Sequence, residues 1–404
     1  MSSERKHWSA LKEKVKGRRR MSAFGKVFCV GCVILVVVLI GGLLYQSRGY
    51  QSFEVLSSMT KTDNASVHYL VTDNGLLRYS KDGISYSRDL DETLWNHSFE
   101  MESPDVVVSG ESIVVADIGS NQILIYEEDE QTGEITTEHP VADVTISSEG
   151  IVASIQSEDT SNYIFIYSQE GEELVTIKTS ISQMGYPVGL ALSETGENLA
   201  VSYLNVADGI VYTNLVFYNF GDIGTEEEDH ITGTFTYESL VTKIAFITDT
   251  KLAVFEEEGF DLYTVNDYPE LSHQIDFGQE IESLFISDQY IGFVLKNNTQ
   301  TVSEDGESES GEEEGKYLMK VYTYSARLSM EQDFDFDYDT VISTSKEIVF
   351  YNDTSCAIYT LNGKEKFSYT FDEPIESLLP KEVQGEYYLI TGSTVEEIRL
   401  SKGE

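Results

Sequence analysis

The sequence predicts an all-β protein: an extracytoplasmic β-propeller of eight blades, preceded by one N-terminal transmembrane helix. Three observations predict this fold: a charge-free apolar stretch near the N-terminus, a change in the sign of the charge across it, and a short strand motif that recurs along the rest of the chain. No amphipathic helix longer than about ten residues stands out in the chain after the apolar stretch. A parallel α/β fold is therefore excluded, because it needs a helix between most of its strands.

The apolar stretch covers residues 27–45 and contains no charged side chain. A helix of that length is roughly 28 Å long, about the thickness of the hydrocarbon core of a bilayer. A buried helix of a soluble protein normally keeps one polar stripe, and this stretch has none. No small-x-small cleavage site follows it, so we predict a transmembrane helix that acts as an uncleaved signal anchor.

The charge balance predicts the orientation of that helix. Residues 1–26 hold nine Lys or Arg and two acids. The rest of the chain holds 18 of the 27 basic residues and 68 of the 70 acidic residues, which is a formal charge of −50. Basic residues beside a membrane span stay on the cytoplasmic side. We therefore predict a basic cytoplasmic arm at 1–26, a short linker at 46–52 and an extracellular domain at 53–404. The linker reaches at most about 25 Å when fully extended, which keeps that domain near the bilayer.

Cysteine usage bears on how the outer domain is stabilised. Cys29 and Cys32 lie inside the predicted span, and Cys356 is the only cysteine outside it. No intramolecular disulfide can therefore form in the outer domain, which must be stable through its own core. This pattern favours a bacterial surface protein over a eukaryotic secreted one.

The recurring motif is a short aliphatic strand that ends in tyrosine. Arg399 replaces the tyrosine in the last copy, and the intervals between copies run from 37 to 59 residues. Repeat units of 40–50 residues with four short strands each are the pattern of a β-propeller. Eight copies predict eight blades, or seven if one unit is degenerate. The copies are 76–79, 123–126, 164–167, 215–218, 260–263, 319–322, 356–359 and 396–399.

The last repeat unit has only three strands, at 375–379, 387–391 and 395–400. A propeller must join its first and last blades, because an open ring exposes unpaired sheet edges. We predict that 53–57 supplies the missing fourth strand.

Two acidic segments have alternative interpretations. Residues 301–315 carry seven acids inside the sixth unit, and we predict a disordered hairpin tip there because such a composition cannot bury enough apolar area. Residues 333–339 alternate aspartate with Phe334, Phe336 and Tyr338, which predicts an outer blade strand with a charged edge. Capture of a divalent cation such as calcium is the alternative for either segment. We predict no cofactor otherwise.

Catalytic motifs are not found in the outer chain. Its five histidines are widely spaced, and it has no His-x-x-x-His, Gly-x-Ser-x-Gly or phosphate-loop pattern. Acids are so numerous that the choice of a catalytic pair would be arbitrary. Trp95 is expected to pack structurally, since propellers that bind quinone cofactors use a tryptophan in most blades. The sequence therefore assigns no catalytic, cofactor-binding or metal-binding residue.

Several longer segments together resemble a known family. They are 75–83, 185–188, 200–203 and 217–220, in combination with the basic arm and the single span. The set is similar to a family of membrane-anchored propeller proteins from clostridial-type Gram-positive bacteria, catalogued as a domain of unknown function. The resemblance covers almost the whole chain. It implies a bacterial origin and an external propeller, and it supplies no catalytic residues.

These observations favour a non-enzymatic binding or scaffold module at the cell surface. A charge of −50 opposes direct binding of anionic polymers and favours basic or neutral partners. Besides the membrane, we expect a protein or a cell-wall polymer as partner. We expect no nucleic acid, because topology explains the basic arm. The alternative is a cell-wall glycan hydrolase or lyase with its site in the propeller channel, which rests on fold analogy.

Overall fold

The computed structural model describes residues 49–61, 67–72, 75–158, 161–207, 209–297 and 315–402. These residues form eight four-stranded antiparallel sheets, so the predicted count of eight blades is confirmed. The predicted arm at 1–26 and helix at 27–45 lie outside the described residues. Within the described part of the chain, no helix combines the length and the apolar character that a membrane crossing requires.

The first four blades follow one another along the chain. Blade 1 contains β2 (His68–Thr72), β3 (Gly75–Ser80), β4 (Gly83–Asp89) and β5 (Glu92–Ser98). Blade 2 contains β6 (Pro104–Ser109), β7 (Ser112–Asp117), β8 (Gln122–Glu127) and β9 (Glu130–Thr136). Blade 3 contains β10 (Val141–Ile146), β11 (Val152–Ser157), β12 (Ser161–Tyr167) and β13 (Glu173–Ser180). A one-turn helix, α1 (Ile181–Met184), leads to blade 4, which contains β14 (Tyr186–Leu192), β15 (Asn198–Ala207), β16 (Ile210–Asn219) and β17 (Ile231–Tyr237).

The remaining blades complete the ring. Two short 3-10 turns, Gly224–Glu226 and Glu228–His230, precede β17. Blade 5 contains β18 (Val241–Thr248), β19 (Lys251–Glu256), β20 (Gly259–Val265) and β21 (Pro269–Asp276). Blade 6 contains β22 (Ile281–Ile286), β23 (Tyr290–Lys296), β24 (Tyr317–Thr323) and β25 (Leu328–Phe334). Blade 7 contains β26 (Thr340–Ser343), β27 (Glu347–Tyr351), β28 (Ser355–Thr360) and β29 (Glu365–Thr370). Blade 8 contains β30 (Ile375–Pro380), β31 (Glu386–Thr391), β32 (Thr394–Ser401) and β1 (Ser52–Thr60).

The first strand of each blade is the innermost one. First strands of neighbouring blades contact each other, for example β10 with β14 and β2 with β30. We call the end of the ring that carries the turns from first to second strands the lower face. The end that carries the hairpins from second to third strands is the upper face. Second strands are the most buried, as in β7, whose six residues are all buried between neighbouring blades.

Strand β1 closes the ring, as the sequence predicts. It pairs with β32 in antiparallel register from Ser52 opposite Ser401 to Thr60 opposite Thr394. The side chain of Phe53 packs edge-on against Tyr369 of blade 7, with ring centroids 5.1 Å apart. Strand β32 runs from the upper to the lower face, and β1 pairs with it in the antiparallel direction. Strand β1 therefore starts at the lower face, and the chain enters the ring there.

Seven of the eight motif copies lie on third strands, and the first does not. Residues 76–79 belong to β3, the second strand of blade 1, whereas the third strand β4 carries Tyr86 in the corresponding place. The first copy is therefore a strand, as predicted, but at a different position in its blade, and the blade count is unaffected. Both strands combine aliphatic residues with a tyrosine, so the sequence pattern alone does not separate them.

The strand predicted at 333–339 is also wrong in its extent. Strand β25 ends at Phe334, and the remaining residues form the connection to blade 7. The alternation still has a structural purpose, because Phe334 is buried and Phe336 and Tyr338 pack against the same core cluster. The acidic insertion is placed between β23 and β24, as expected, but residues 298–314 lie outside the described residues.

The core consists of apolar clusters between neighbouring blades. One cluster joins Val114 and Ile125 of blade 2 to Val144 and Phe165 of blade 3. Between blades 7 and 8 the contacts include a buried polar group instead. There the Glu347 carboxylate receives hydrogen bonds from the ammonium of Lys366 and, across the interface, from the hydroxyl of Tyr387.

Candidate binding surfaces

Exposed apolar side chains concentrate on the upper face of blade 4. We call Tyr186, Val188, Val206, Ile210 and Val211 the apolar patch; their exposed fractions run from 43 to 68%. Large exposed patches of this kind mark interaction sites more often than single exposed residues do. Other exposed apolar side chains, such as Leu174 and Leu328, lie singly on outer strands.

An unusually long hairpin presents this patch. Strands β15 and β16 each have ten residues, whereas most second and third strands of the other blades have six or seven. Neighbouring β14 pairs with β15 only as far as Leu204, and β17 pairs with β16 only from Thr213. The hairpin tip therefore stands beyond both neighbours and has no sheet partner on either side.

Strand register puts part of the apolar patch on one side of the hairpin. Val206 lies opposite Val211, and Tyr186 lies opposite Leu204 two residues further down. Side chains at paired positions and at spacings of two share one face of a sheet. Tyr186, Leu204, Val206 and Val211 therefore form a continuous apolar stripe, on the face that blade 4 turns toward blade 5.

The remainder of the upper face is strongly acidic. Exposed acids lie in the connections and hairpins of blades 1, 2, 4, 5, 7 and 8: Glu100, Glu102, Glu138, Glu238, Glu257, Glu258, Asp353, Asp372 and Glu373. Several upper-face lysines are engaged in ion pairs, such as Lys61 with Glu376 at 2.6 Å and Lys296 with Glu282 at 2.6 Å. The apolar patch thus stands within a rim of negative potential.

The innermost strands carry a second set of residues, polar or small, at equivalent positions. In blades 3, 4, 5, 6 and 8 the first strand has a bulge near its upper end, and the residue that follows the bulge belongs to this set. These residues are Asp143, Gly189, Lys243, Ser283 and Ser377. Sequence reasoning did not find this pattern, whose only signal is an aliphatic residue two positions earlier in four of the five blades, as Val141 precedes Asp143.

Asp143 is the one acid of this set. Burial, with a smaller contribution from the negative charge of Asp105, raises its pKa to about 6. The backbone N–H of Val144 donates to Asp143 Oδ1 at 2.9 Å, and that of Leu190 in blade 4 also donates to the carboxylate. The side chain therefore joins the inner strands of blades 3 and 4. This link between two strands gives Asp143 a structural role, which does not require Asp143 and Asp105 to act as a catalytic pair.

The structure also locates single residues that the sequence analysis singled out. Trp95 stacks on Tyr126 of blade 2, with centroids 6.1 Å apart and planes 12° apart, which confirms structural packing. Cys356 is buried in β28, and burial raises its thiol pKa to about 12. Among the described residues, no three His, Cys, Asp or Glu side chains converge as metal ligands would.

Comparison with solved structures identifies proteins with a similar fold. Sqt1 of Saccharomyces cerevisiae has a TM-score of 0.53 at 11% identity, covering 87% of this chain and 100% of its own. The WD40 domain of Neurospora crassa Pan2 has a TM-score of 0.43 at 8% identity, covering 74% and 88%. Hsv2 of Kluyveromyces lactis has a TM-score of 0.46 at 8% identity, covering 85% and 99%. At these identities the similarity to Sqt1 concerns the fold alone.

Comparison at the level of sequence gives the family. No curated protein matches the chain. A family model described as a family of unknown function, DUF5711, matches residues 46–400, which cover all eight blades. The eight-bladed protein described above therefore belongs to the DUF5711 family.

Proposed function

We propose that this protein is a non-enzymatic binding module, anchored at the outer face of a bacterial cell membrane, that binds a protein through the apolar patch of its upper face. The observation that carries this proposal is the apolar patch of blade 4, in which three exposed apolar side chains of the hairpin tip stand beside two of β14. Solvent exposure of such a cluster is unfavourable, and a partner that covers it would gain about 25 cal/mol for each Å² of apolar area buried.

The charge of the upper face indicates the chemistry of that partner. The acids around the apolar patch attract a basic surface and repel an acidic one, and they accelerate the encounter at low salt. Interfaces commonly combine an apolar centre with a polar rim. The partner is accordingly a protein with apolar side chains at the centre of a basic surface.

The path of the chain supports the choice of the upper face. Strand β1 begins at the lower face of the ring, the face opposite the apolar patch. The charge asymmetry and the family resemblance support a bacterial origin and an external location.

The test uses the tagged full-length chain, crosslinked on intact cells and analysed by mass spectrometry. A variant with Val206→Ser and Ile210→Ser removes most of the exposed apolar area of the hairpin. A matched control carries Leu174→Ser and Leu328→Ser, which are also exposed residues, at 53% and 43% against 68% and 63% for Val206 and Ile210, on outer strands of blades 3 and 6. We expect a basic protein that the wild type and the control recover and that the hairpin variant loses at least tenfold. Equal recovery by all three would overturn the proposal.

A further inference from the structure

The apolar stripe of blade 4 lies on the side of the hairpin that faces blade 5. Along β16, Leu215 and Phe217 come four and six residues after Val211, and both pack in one core cluster with Val254 of blade 5. Residues at even spacings share one face of a strand. Val211, and Val206 opposite it, therefore stand on the same side as this cluster and above it.

Two hydrogen bonds connect the lower end of the apolar stripe to a cavity of blade 5. Thr213 follows Val211 on the same side, is buried, and donates through Oγ1 to the backbone carbonyl of Ser239 at 3.0 Å. The hydroxyl of Ser239 donates in turn to the carboxylate of Glu256. Ser239 and Glu256 both line a cavity of about 520 Å³ on the upper face of blade 5. The apolar stripe and this cavity are therefore adjacent.

The charged side chains of the cavity are all acids. Glu256, Glu257 and Glu258 of the β19–β20 hairpin line it together with Asp276, and its lining, which lies wholly within the described residues, contains no lysine or arginine. Glu257, Glu258 and Asp276 are exposed, so a ligand can reach them. A cation placed here is attracted by several carboxylates. The side chains of lysine and arginine suit the site, because a long apolar stem carries their charge.

The hairpin also has a free strand edge beside the apolar stripe. Strand β17 pairs with β16 only from Thr213, so residues 210–212 have no strand partner on that side among the described strands. An extended segment can add to such an edge as a further strand. A folded surface that covered the stripe without a strand of its own would bury these main-chain groups unpaired, which is unfavourable.

We propose that the partner is recognised through an extended segment, which binds between the hairpin of blade 4 and the acidic cavity of blade 5. The segment adds a strand to the free edge of β16, packs an aliphatic or aromatic side chain on the apolar stripe, and places a lysine or arginine in the cavity. This inference rests on the binding function proposed above and specifies what that function recognises.

The dimensions of the site set the spacing of the two recognised residues. Thr213 lies roughly 7 Å from Val211 along the strand, and the cavity begins one side chain further on, so about four extended residues span the site. The segment therefore carries its basic residue within about four positions of its apolar one.

Selection of random ten-residue peptides displayed on phage, with the full chain in detergent as the target, tests this proposal. We expect the recovered peptides to share an aliphatic or aromatic residue with a lysine or arginine within about four positions. A parallel selection on the variant with Val206→Thr and Val211→Thr, which keeps β-branched residues in both strands, should lose this pattern. Recovered peptides without a basic residue, or without any common pattern, would overturn the proposal.

One selected peptide is then synthesised and its affinity is measured by fluorescence anisotropy. Glu257→Gln with Glu258→Gln should weaken binding about tenfold at low salt and much less in 1 M NaCl, because salt screens the charges. Asp353→Asn with Asp372→Asn removes two exposed acids from the upper face of blade 7 and should bind within about twofold of the wild type. Ile210→Thr, on the other side of the hairpin, should also leave binding unchanged.

These outcomes can be distinguished from those of the crosslinking experiment. Equal weakening by the blade 5 and blade 7 variants would show attraction by overall charge, and unchanged binding by the blade 5 variant would show that the cavity is not used. Either result would overturn the proposal. A partner crosslinked through the apolar patch, together with no selected peptide, would overturn it as well, while the protein-binding function would stand. Circular dichroism checks that each variant is folded.

Discussion

At the residue scale, buried tyrosines and one carboxylate form hydrogen-bonded groups inside the blades. The hydroxyl of Tyr237 donates to Asp261 Oδ2 at 3.0 Å and lies 2.8 Å from the hydroxyl of Tyr263. Tyr203 and Tyr218 form a similar pair at 2.9 Å. Burial outweighs the hydrogen bond from Tyr237 and raises the pKa of Asp261 from 3.8 to about 6. This carboxylate therefore links folding to pH.

The sign of that link gives a prediction for Asp261→Asn. A carboxyl group with a raised pKa in the folded state holds its proton more tightly there than in the unfolded chain. Its contribution to stability is present below about pH 4 and is lost as the pH rises through 6. We expect the stability of the variant relative to the wild type to increase by on the order of 1–3 kcal/mol between pH 4 and pH 7. Urea unfolding at several pH values measures this difference.

Asp267→Asn is the control for this prediction, because Asp267 is an exposed acid of the same blade. Its stability relative to the wild type should change little with pH. A pH-independent difference for Asp261→Asn would show that the buried carboxyl is not coupled to folding. Comparing variants in this way cancels the titration of the many other acids.

Single residues also show how far the sequence could predict the candidate surfaces. Packing of Trp95 followed from its isolation among the blades. The apolar patch could not be predicted, because the sequence does not distinguish Val206, Ile210 and Val211 from other strand residues. Only the structure shows that β15 and β16 extend beyond the neighbouring strands β14 and β17. A weak signal existed, since twelve residues separate Gly196 of the preceding turn from Gly209 of the hairpin tip. Ten of them form β15, whereas the other second strands have five to seven residues.

At the scale of elements, the blades were predictable because each one repeats the same chemistry. Aliphatic second and third strands alternate with turns such as that at Gly171, whose φ of +82° favours glycine. The pattern failed where strands resemble each other, as β3 and β4 do, and where an alternating segment packs without pairing, as at 333–339. Strand partners are set by contacts that are distant in sequence, so local pattern does not determine them.

The closing strand gives a prediction at this scale. A chain that begins at Lys61 lacks β1, which exposes the edge of β32 and removes the packing of Phe53 and Met59. Full burial of such a side chain contributes roughly 1.5–3 kcal/mol, so each of these half-buried side chains contributes less, and a free edge promotes aggregation. We expect a lower melting temperature and more light scattering than for a chain that begins at Gln51.

A synthetic peptide of residues 51–60 provides the control for the truncated chain. It should restore the melting temperature when added in excess, because binding to the folded ring stabilises that state. A peptide in which Phe53 is replaced by Ala should restore less. If the truncated chain melts as the longer one does, β1 is not needed to close the ring.

At the scale of the whole molecule, the apolar patch distinguishes the upper face more than charge does. Exposed acids lie on both faces, for example Glu100 on the upper face and Glu170 and Glu382 on the lower face. Cations such as Lys346 also lie on the lower face. Sequence composition predicted a basic or neutral partner, but the division between faces depends on strand direction in each blade.

The excess of acids gives the last prediction, which concerns the stability of the whole ring. The residues after 26 carry a formal charge of −50, and like charges held close together in the folded state repel each other. Salt reduces this repulsion, since the Debye length falls from about 30 Å at 0.01 M to about 3 Å at 1 M. We expect the melting temperature to rise by roughly 3 °C over this range of NaCl, which corresponds to about 2 kcal/mol for a ring of this size. Scanning calorimetry of the full chain measures it, with MgCl2 at matched ionic strength as comparison. A constant or falling melting temperature would contradict the prediction, and a much larger effect of magnesium would show that specific cation binding, rather than screening, stabilises the ring.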